Sequence, residues 1–168
     1  MGAEYQRHGA SIVRSSNKGV PNGGRTADGN KTTFAGDLTP KQAWELLEGD
    51  PRAVLVDVRS LPEWQFVGLP DLGRIGKTPM LVSWHTYPNM TENPSFYSDL
   101  RGKGVELDMP VVFLCRSGGR SRAAAMAMAA MGFERCYNVA EGFEGPLDAQ
   151  GRRREAGWKV VGLPWTQE

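Results

Sequence analysis

The sequence predicts an α/β domain of three layers, a mainly parallel central sheet with helices on both faces. Three observations carry that prediction. Ala53–Val56 and Pro110–Leu114 are continuous apolar runs, as expected of strands buried on both sides and not of a half-exposed sheet. Segments with helix-start signals alternate with these runs. Arg120–Met131, dense in alanine, follows the second run directly, as a crossover helix would.

Residues 1–33 hold six glycines and five Lys/Arg against two acids, with little apolar periodicity. Such a stretch buries too little surface to offset ordering and is expected to be a flexible tail; its glycines argue against the amphipathic helix of a transit peptide. The remainder, 34–168, is expected to be one domain with a C-terminal extension from about 146. Thr39-Pro40-Lys41-Gln42 offers an N-cap, a Pro at the first helical position and a Gln three residues after the cap. That helix should stop near Gly49-Asp50-Pro51. The run at Ala53–Val56 ends at Asp57, and Ser60-Leu61-Pro62-Glu63 is a second capping box. A short strand is expected around Met80–Trp84 and a helix from Asn93-Pro94 through Leu100. Gly132 suits the stop of the alanine-rich helix. A last strand, Arg135–Val139, precedes Glu141-Gly142-Phe143.

Composition excludes several classes. With 168 residues, 40% apolar and 23% charged, the chain is globular in type and long enough for one core. A net charge of +1 gives no broad basic field for nucleic acid. No apolar run approaches the roughly 18 residues of a membrane span. Only two cysteines and two histidines are present, at spacings that match neither a zinc site nor a disulfide framework. The expectation is a cytoplasmic protein without metal or organic cofactor.

The chemistry should lie where the central strand ends. Cys115-Arg116-Ser117-Gly118-Gly119-Arg120-Ser121 stands between a buried strand and a helix, and sites in open α/β sheets lie at the carboxyl ends of strands. Two glycines relax steric limits, so several backbone N–H groups can turn inward. Such arrays and a helix N-terminus favour anions, and Arg116 and Arg120 add formal charge. A thiol of ordinary acidity is only roughly 3% ionised at pH 7, and lowering its pKa by about two units takes about 2.7 kcal/mol. A helix terminus supplies about 0.3–1 kcal/mol; loop N–H groups and arginines must provide the rest. The alternative, an inert cysteine packed as a small hydrophobe, fits poorly with a polar, cationic and Gly-rich continuation.

The Cys-x-x-Gly-x-Arg-Ser pattern of residues 115–121 resembles the active-site loop of the rhodanese superfamily. Val56-Asp57-Val58-Arg59-Ser60 with Glu63-Trp64 is similar to that family's N-terminal signature, and Asn138–Gly142 to its closing one. The likeness spans about residues 38–145. Where the family carries a His-Ile-Pro-Gly-Ala-like stretch, this chain has Phe66-Val67-Gly68-Leu69-Pro70. The resemblance implies a sulfurtransferase in which Cys115 takes the sulfane sulfur of thiosulfate or a persulfide and passes it to a thiophilic acceptor. Cyanide would serve in an assay and a thiol, small or on a protein, in a cell. Arg116, Ser117, Gly118, Gly119, Arg120 and Ser121 would cradle the outer sulfur. It further implies that Asp57 holds the catalytic loop and that Arg59 pairs with an acid such as Glu63; both also read as structural ion-pair groups. Related phosphatases and arsenate reductases carry one more residue between cysteine and arginine. Here four separate Cys115 from Arg120, the shorter, sulfurtransferase-like ring.

Other residues have weaker claims. Cys136 could resolve a Cys115 persulfide, although a core position is the default. His85 could touch substrate, but reads more simply as a packing residue. Arg152-Arg153-Arg154 follows a turn signal and is expected to be a solvated turn. Two rivals to sulfur transfer stand: oxyanion chemistry on the same thiolate, and a non-catalytic binding module.

Overall fold

The computed structural model describes residues 34–167; the tail expected over 1–33 lies outside them. The elements are β1 (Gly36–Leu38), α1 (Pro40–Gly49), β2 (Val54–Asp57), α2 (Leu61–Val67), β3 (Leu69–Pro70), β4 (Met80–Leu81), β5 (His85–Thr86), β6 (Thr91–Glu92), α3 (Phe96–Gly102), β7 (Pro110–Leu114), α4 (Gly119–Ala130), β8 (Arg135–Val139) and β9 (Trp165–Thr166). A 3-10 turn occupies Gly73–Ile75. The central sheet has the order β1-β8-β7-β2-β4, and every pairing in it is parallel.

The apolar runs split between two cores because strand side chains alternate. Val56, Val111, Phe113 and Cys115 face α3 and α4, where Phe96, Leu100, Ala124, Ala125 and Met128 close the layer. Leu55, Val112 and Leu114 face the other way, onto Ala43 and Leu47 of α1 and onto Phe143 and Trp158. All five β7 residues are buried. That is the reason their sequence does not alternate in polarity.

The helix starts follow their caps. The Thr39 hydroxyl accepts from the Gln42 N–H at 3.2 Å, and Gln42 Oε1 accepts from the Thr39 N–H at 2.9 Å. At α2 the Glu63 carboxylate takes both the N–H and the hydroxyl of Ser60. Gly132, at φ +105, stands just past the α4 C-cap Met131.

Three features depart from the expected plan. The strand around Met80–Trp84 keeps regular pairing only over Met80–Leu81; Val82 and Trp84 continue it by single bonds to Asp57 and Val58 carbonyls. The edge strand β1 has no apolar run to announce it and is held by its register to β8, Asp37 opposite Asn138. The degenerate stretch Phe66–Pro70 is stitched to the C-terminal extension: Leu69 and Pro70 pair antiparallel with Thr166 and Trp165, and Gln167 Nε2 donates to the Phe66 carbonyl. Within the extension Trp158 is fully buried, edge-on to Trp44.

Candidate active site

Cys115 follows the last residue of β7, and Gly118, at φ +96, turns the chain into α4. Its backbone N–H donates to Cys115 Sγ at 3.1 Å, and the Ser121 hydroxyl lies at the same distance from the sulfur. The sulfur therefore receives one polar hydrogen from the loop and touches a hydroxyl of the first turn of α4, while the residue is only 1% exposed.

The loop owes its shape to the segment behind it. Phe143 N–H donates to the Cys115 carbonyl at 2.8 Å, and Glu144 and Gly145 N–H groups donate to the Arg116 carbonyl at 2.9 and 3.2 Å. Those bonds hold the Cys115 and Arg116 carbonyls from behind, and the Gly118 N–H is the loop amide that faces the sulfur. A Cβ on Gly118 would lie 2.0 Å from the Ala140 carbonyl oxygen, so only glycine fits where the loop crosses the residue after β8. The extension supports the same segment in turn: Trp158 and Lys159 N–H groups donate to the Gly142 and Phe143 carbonyls.

The charged residues pair differently from expectation. Arg120 makes a bidentate bond to Glu63, Nη2 to Oε1 at 2.6 Å and Nη1 to Oε2 at 2.8 Å. Burial pushes the Glu63 carboxyl up, but the Arg120 and Ser60 hydrogen bonds and the Arg120 charge outweigh it and hold the group at about 2. The hydrogen bond to Glu63 likewise raises Arg120, against the effect of burial. Much of the Arg120 charge is thus matched by an acid. Arg116 is exposed and has no acid partner among the described residues.

Arg59 does not pair with Glu63, because Glu63 is committed to Arg120. It pairs with Asp57, Nη2 to Oδ2 at 2.6 Å, with both side chains fully buried. Asp57 in turn does not hold the catalytic loop: its hydrogen bonds go to the backbone and guanidinium of Arg59. Arg59 also donates to the Gly68 carbonyl and lies 4.2 Å over the Phe143 ring. The pair is a strut between the degenerate stretch and the segment behind the loop.

Cys136 is placed far from the sulfur. It pairs in register with Val111, four residues before Cys115, so about 13 Å of strand separates them. Burial pushes its thiol up to about 12. His85 sits in the β5–β6 hairpin against Trp84. In the arginine triplet, Arg154 pairs with Asp148 and Arg153 donates to the Gly145 carbonyl, so these side chains tie down the extension.

Sequence reasoning did not foresee Asp37 and Asn138. The Ser121 hydroxyl donates to Asn138 Oδ1 at 2.6 Å, and Asn138 Nδ2 donates to Asp37 Oδ1 at 2.7 Å. Asn138 stands inside the closing signature, but nothing in one sequence joins it to residues 37 and 121. No group of three or more His, Cys, Asp or Glu side chains suited to a metal occurs among the described residues. No described helix is long and apolar enough to cross a membrane.

Comparison with known proteins agrees with this architecture. The chain is similar to Rv0390 from M. tuberculosis, whose crystal structure superposes with a TM-score of 0.74 at 51% identity, covering 81% of this chain and all of that one. The solution structure of the polysulfide-sulfur transferase homodimer from Wolinella succinogenes superposes with a TM-score of 0.55 at 26% identity, covering 79% of this chain and 78% of that one. Thiosulfate sulfurtransferase GlpE from Glaesserella parasuis is 33% identical over 109 residues, 65% of this chain and 83% of that protein. The model of the rhodanese-like domain family matches residues 39–148, and the chain belongs to that family.

Proposed function

We propose that this protein is a sulfurtransferase that carries sulfane sulfur as a persulfide on Cys115. The observation that carries the reading is the short loop itself. Cys115 Sγ receives the Gly118 N–H at 3.1 Å at the head of α4, in a ring closed by only four residues before Arg120. A ring that tight suits one added sulfur atom better than a tetrahedral oxyanion. The sulfur-transfer names of GlpE and of the Wolinella protein support the same reading.

The reaction balances without a cofactor. The Cys115 thiolate attacks the outer sulfur of thiosulfate, a Sγ–S bond forms, and the thiosulfate S–S bond breaks with its electron pair leaving on sulfite. An acceptor nucleophile then attacks the outer sulfur of the persulfide. The new bond forms to the acceptor, and the Sγ–S electron pair returns to Cys115 as thiolate. Arg116, the loop arginine without an acid partner, is the group that draws an anionic donor to the mouth. Small persulfides can donate in the same way, and a small-molecule or protein thiol can accept. Both described cysteines are free, which suits the reducing cytoplasm we assign to the protein.

The test is intact-mass analysis after incubation with thiosulfate. One added sulfur is expected, removable by cyanide and absent in Cys115→Ser. Failure to gain sulfur together with turnover of an aryl phosphate or arsenate would establish the oxyanion reading instead. A folded Cys115→Ala protein that retained its full cellular role would point to a binding module.

A further inference from the structure

A chain of polar groups runs outward from the Cys115 sulfur across the sheet. Ser121 Oγ is 3.1 Å from Sγ and 2.6 Å from Asn138 Oδ1. Asn138 Nδ2 is 2.7 Å from Asp37 Oδ1, and the other Asp37 oxygen takes the Arg122 guanidinium. The register builds this line: Asp37 lies opposite Asn138, and Asn138 opposite Phe113, two residues before Cys115. Ser121 and Asn138 are almost fully buried, so bulk water does not replace a missing partner.

The proton count in this chain is restrictive. A serine hydroxyl has one hydrogen, and two acceptors compete for it. Asn138 cannot turn its amide over freely, because its oxygen would then face the Asp37 carboxylate. Its Oδ1 is therefore fixed toward Ser121, and that contact is the shorter of the two. We propose that Asn138, anchored by Asp37, is a positioning residue for Cys115: it draws the Ser121 hydrogen away from the sulfur. In the resting thiol Ser121 then presents a lone pair to S–H. It turns its O–H to the sulfur only when negative charge develops there, at the cost of the Asn138 bond. The arginines around the loop are largely committed: Arg120 is paired with Glu63, Arg59 with Asp57 and Arg122 with Asp37, and Arg116 has no acid partner among the described residues.

The role rests on Cys115 as sulfur carrier for its purpose, but its test does not depend on turnover. The probe is the ultraviolet absorbance of the thiolate, followed against pH and referenced to Cys115→Ser. In Asn138→Leu the Ser121 hydrogen is released to the sulfur, and the titration curve should move to lower pH by about one unit, the scale of one hydrogen bond to a charged group. In a Ser121→Ala background the same substitution should cause no movement. Asp37→Asn, a part-exposed and conservative change, should give a smaller movement in the same direction, again only when Ser121 is present. This second variant decides the matter if Asn138→Leu does not fold. An unmoved curve in the folded variants, or equal movement with and without Ser121, would overturn the proposal. Sulfur loading of the same proteins keeps the two readings apart. A Ser121-dependent shift without loading, wild type included, removes the sulfur-carrier reading alone; loading with an unmoved curve removes the Asn138 role alone.

Discussion

Gly142 and Arg116 approach so closely that a Cβ on Gly142 would lie 2.5 Å from the Arg116 carbonyl carbon and oxygen. Gly142 also has φ +65, in the left-handed region. The closing signature and the cysteine loop are distant in sequence and interlocked in space. The loop's curvature is pressed on it from behind, by a residue with no side chain to spare.

Gly142→Ala should therefore be costly beyond its size. Backbone strain and overpacking together are expected to destabilise the protein by about 2–4 kcal/mol. Urea unfolding measures the loss. Sulfur loading should fall as well, because the displaced Arg116–Ser117 peptide belongs to the loop around Cys115.

Glu63→Gln separates a structural charge from a functional one. The Glu63 carboxyl is held at about 2 against an ordinary 4.5. A group depressed on folding contributes stability that is full above about 4.5 and is lost as pH falls toward 2. Part of that is screened by solvent, so the expected loss in Glu63→Gln at pH 7 is about 1–2 kcal/mol. The stability gap between wild type and variant should close on acidification from pH 4.5 to 2; a constant gap would show that the pair is not the cause. Relieved of its counter-charge, Arg120 should also lower KM for thiosulfate by about threefold, the factor of a weak exposed ion pair.

Arg59→Met should destabilise by about 3–5 kcal/mol, because it leaves the fully buried Asp57 carboxylate without its cation. Adding Asp57→Ala should recover part of that loss. Chemical denaturation of both single variants and the double variant gives the coupling; additive losses would mean that the two residues act independently.

Trp158→Ala should cost about 3–5 kcal/mol through the cavity it opens. The backbone Trp158 N–H bond to Gly142 remains available to alanine, so the loss comes from the indole ring, its packing and its 2.8 Å bond to the Pro164 carbonyl. A calorimetric melt reads it. A loss within about 0.5 kcal/mol, ordinary for a surface change, would show that the extension is not packed as described.

Cys136 should be silent toward iodoacetamide at pH 8 in the folded protein, since burial holds its thiol at about 12. Mass analysis of Cys115→Ser should find no adduct until denaturant is added. Rapid modification of the folded variant would contradict its placement in the core.

What the sequence determined by itself was whatever short-range physics enforces. The uninterrupted run Pro110–Leu114 marks a strand buried on both faces, the Thr39–Gln42 box marks a helix start, and Cys115 with its two following glycines marks a tight anion-friendly turn. These patterns depend on neighbours within a few residues. Tertiary structure alone decided the partners. Glu63 went to Arg120 and not to Arg59, Asp57 was taken by Arg59, and Asp37 reached Ser121 through Asn138 across 101 residues. The edge strand Gly36–Leu38 gave no local signal, since its place comes only from the row of hydrogen bonds offered by β8. Ion pairs and hydrogen bonds are satisfied by whichever group the packed sheet brings within 3 Å or so, and separation along the chain does not enter that choice.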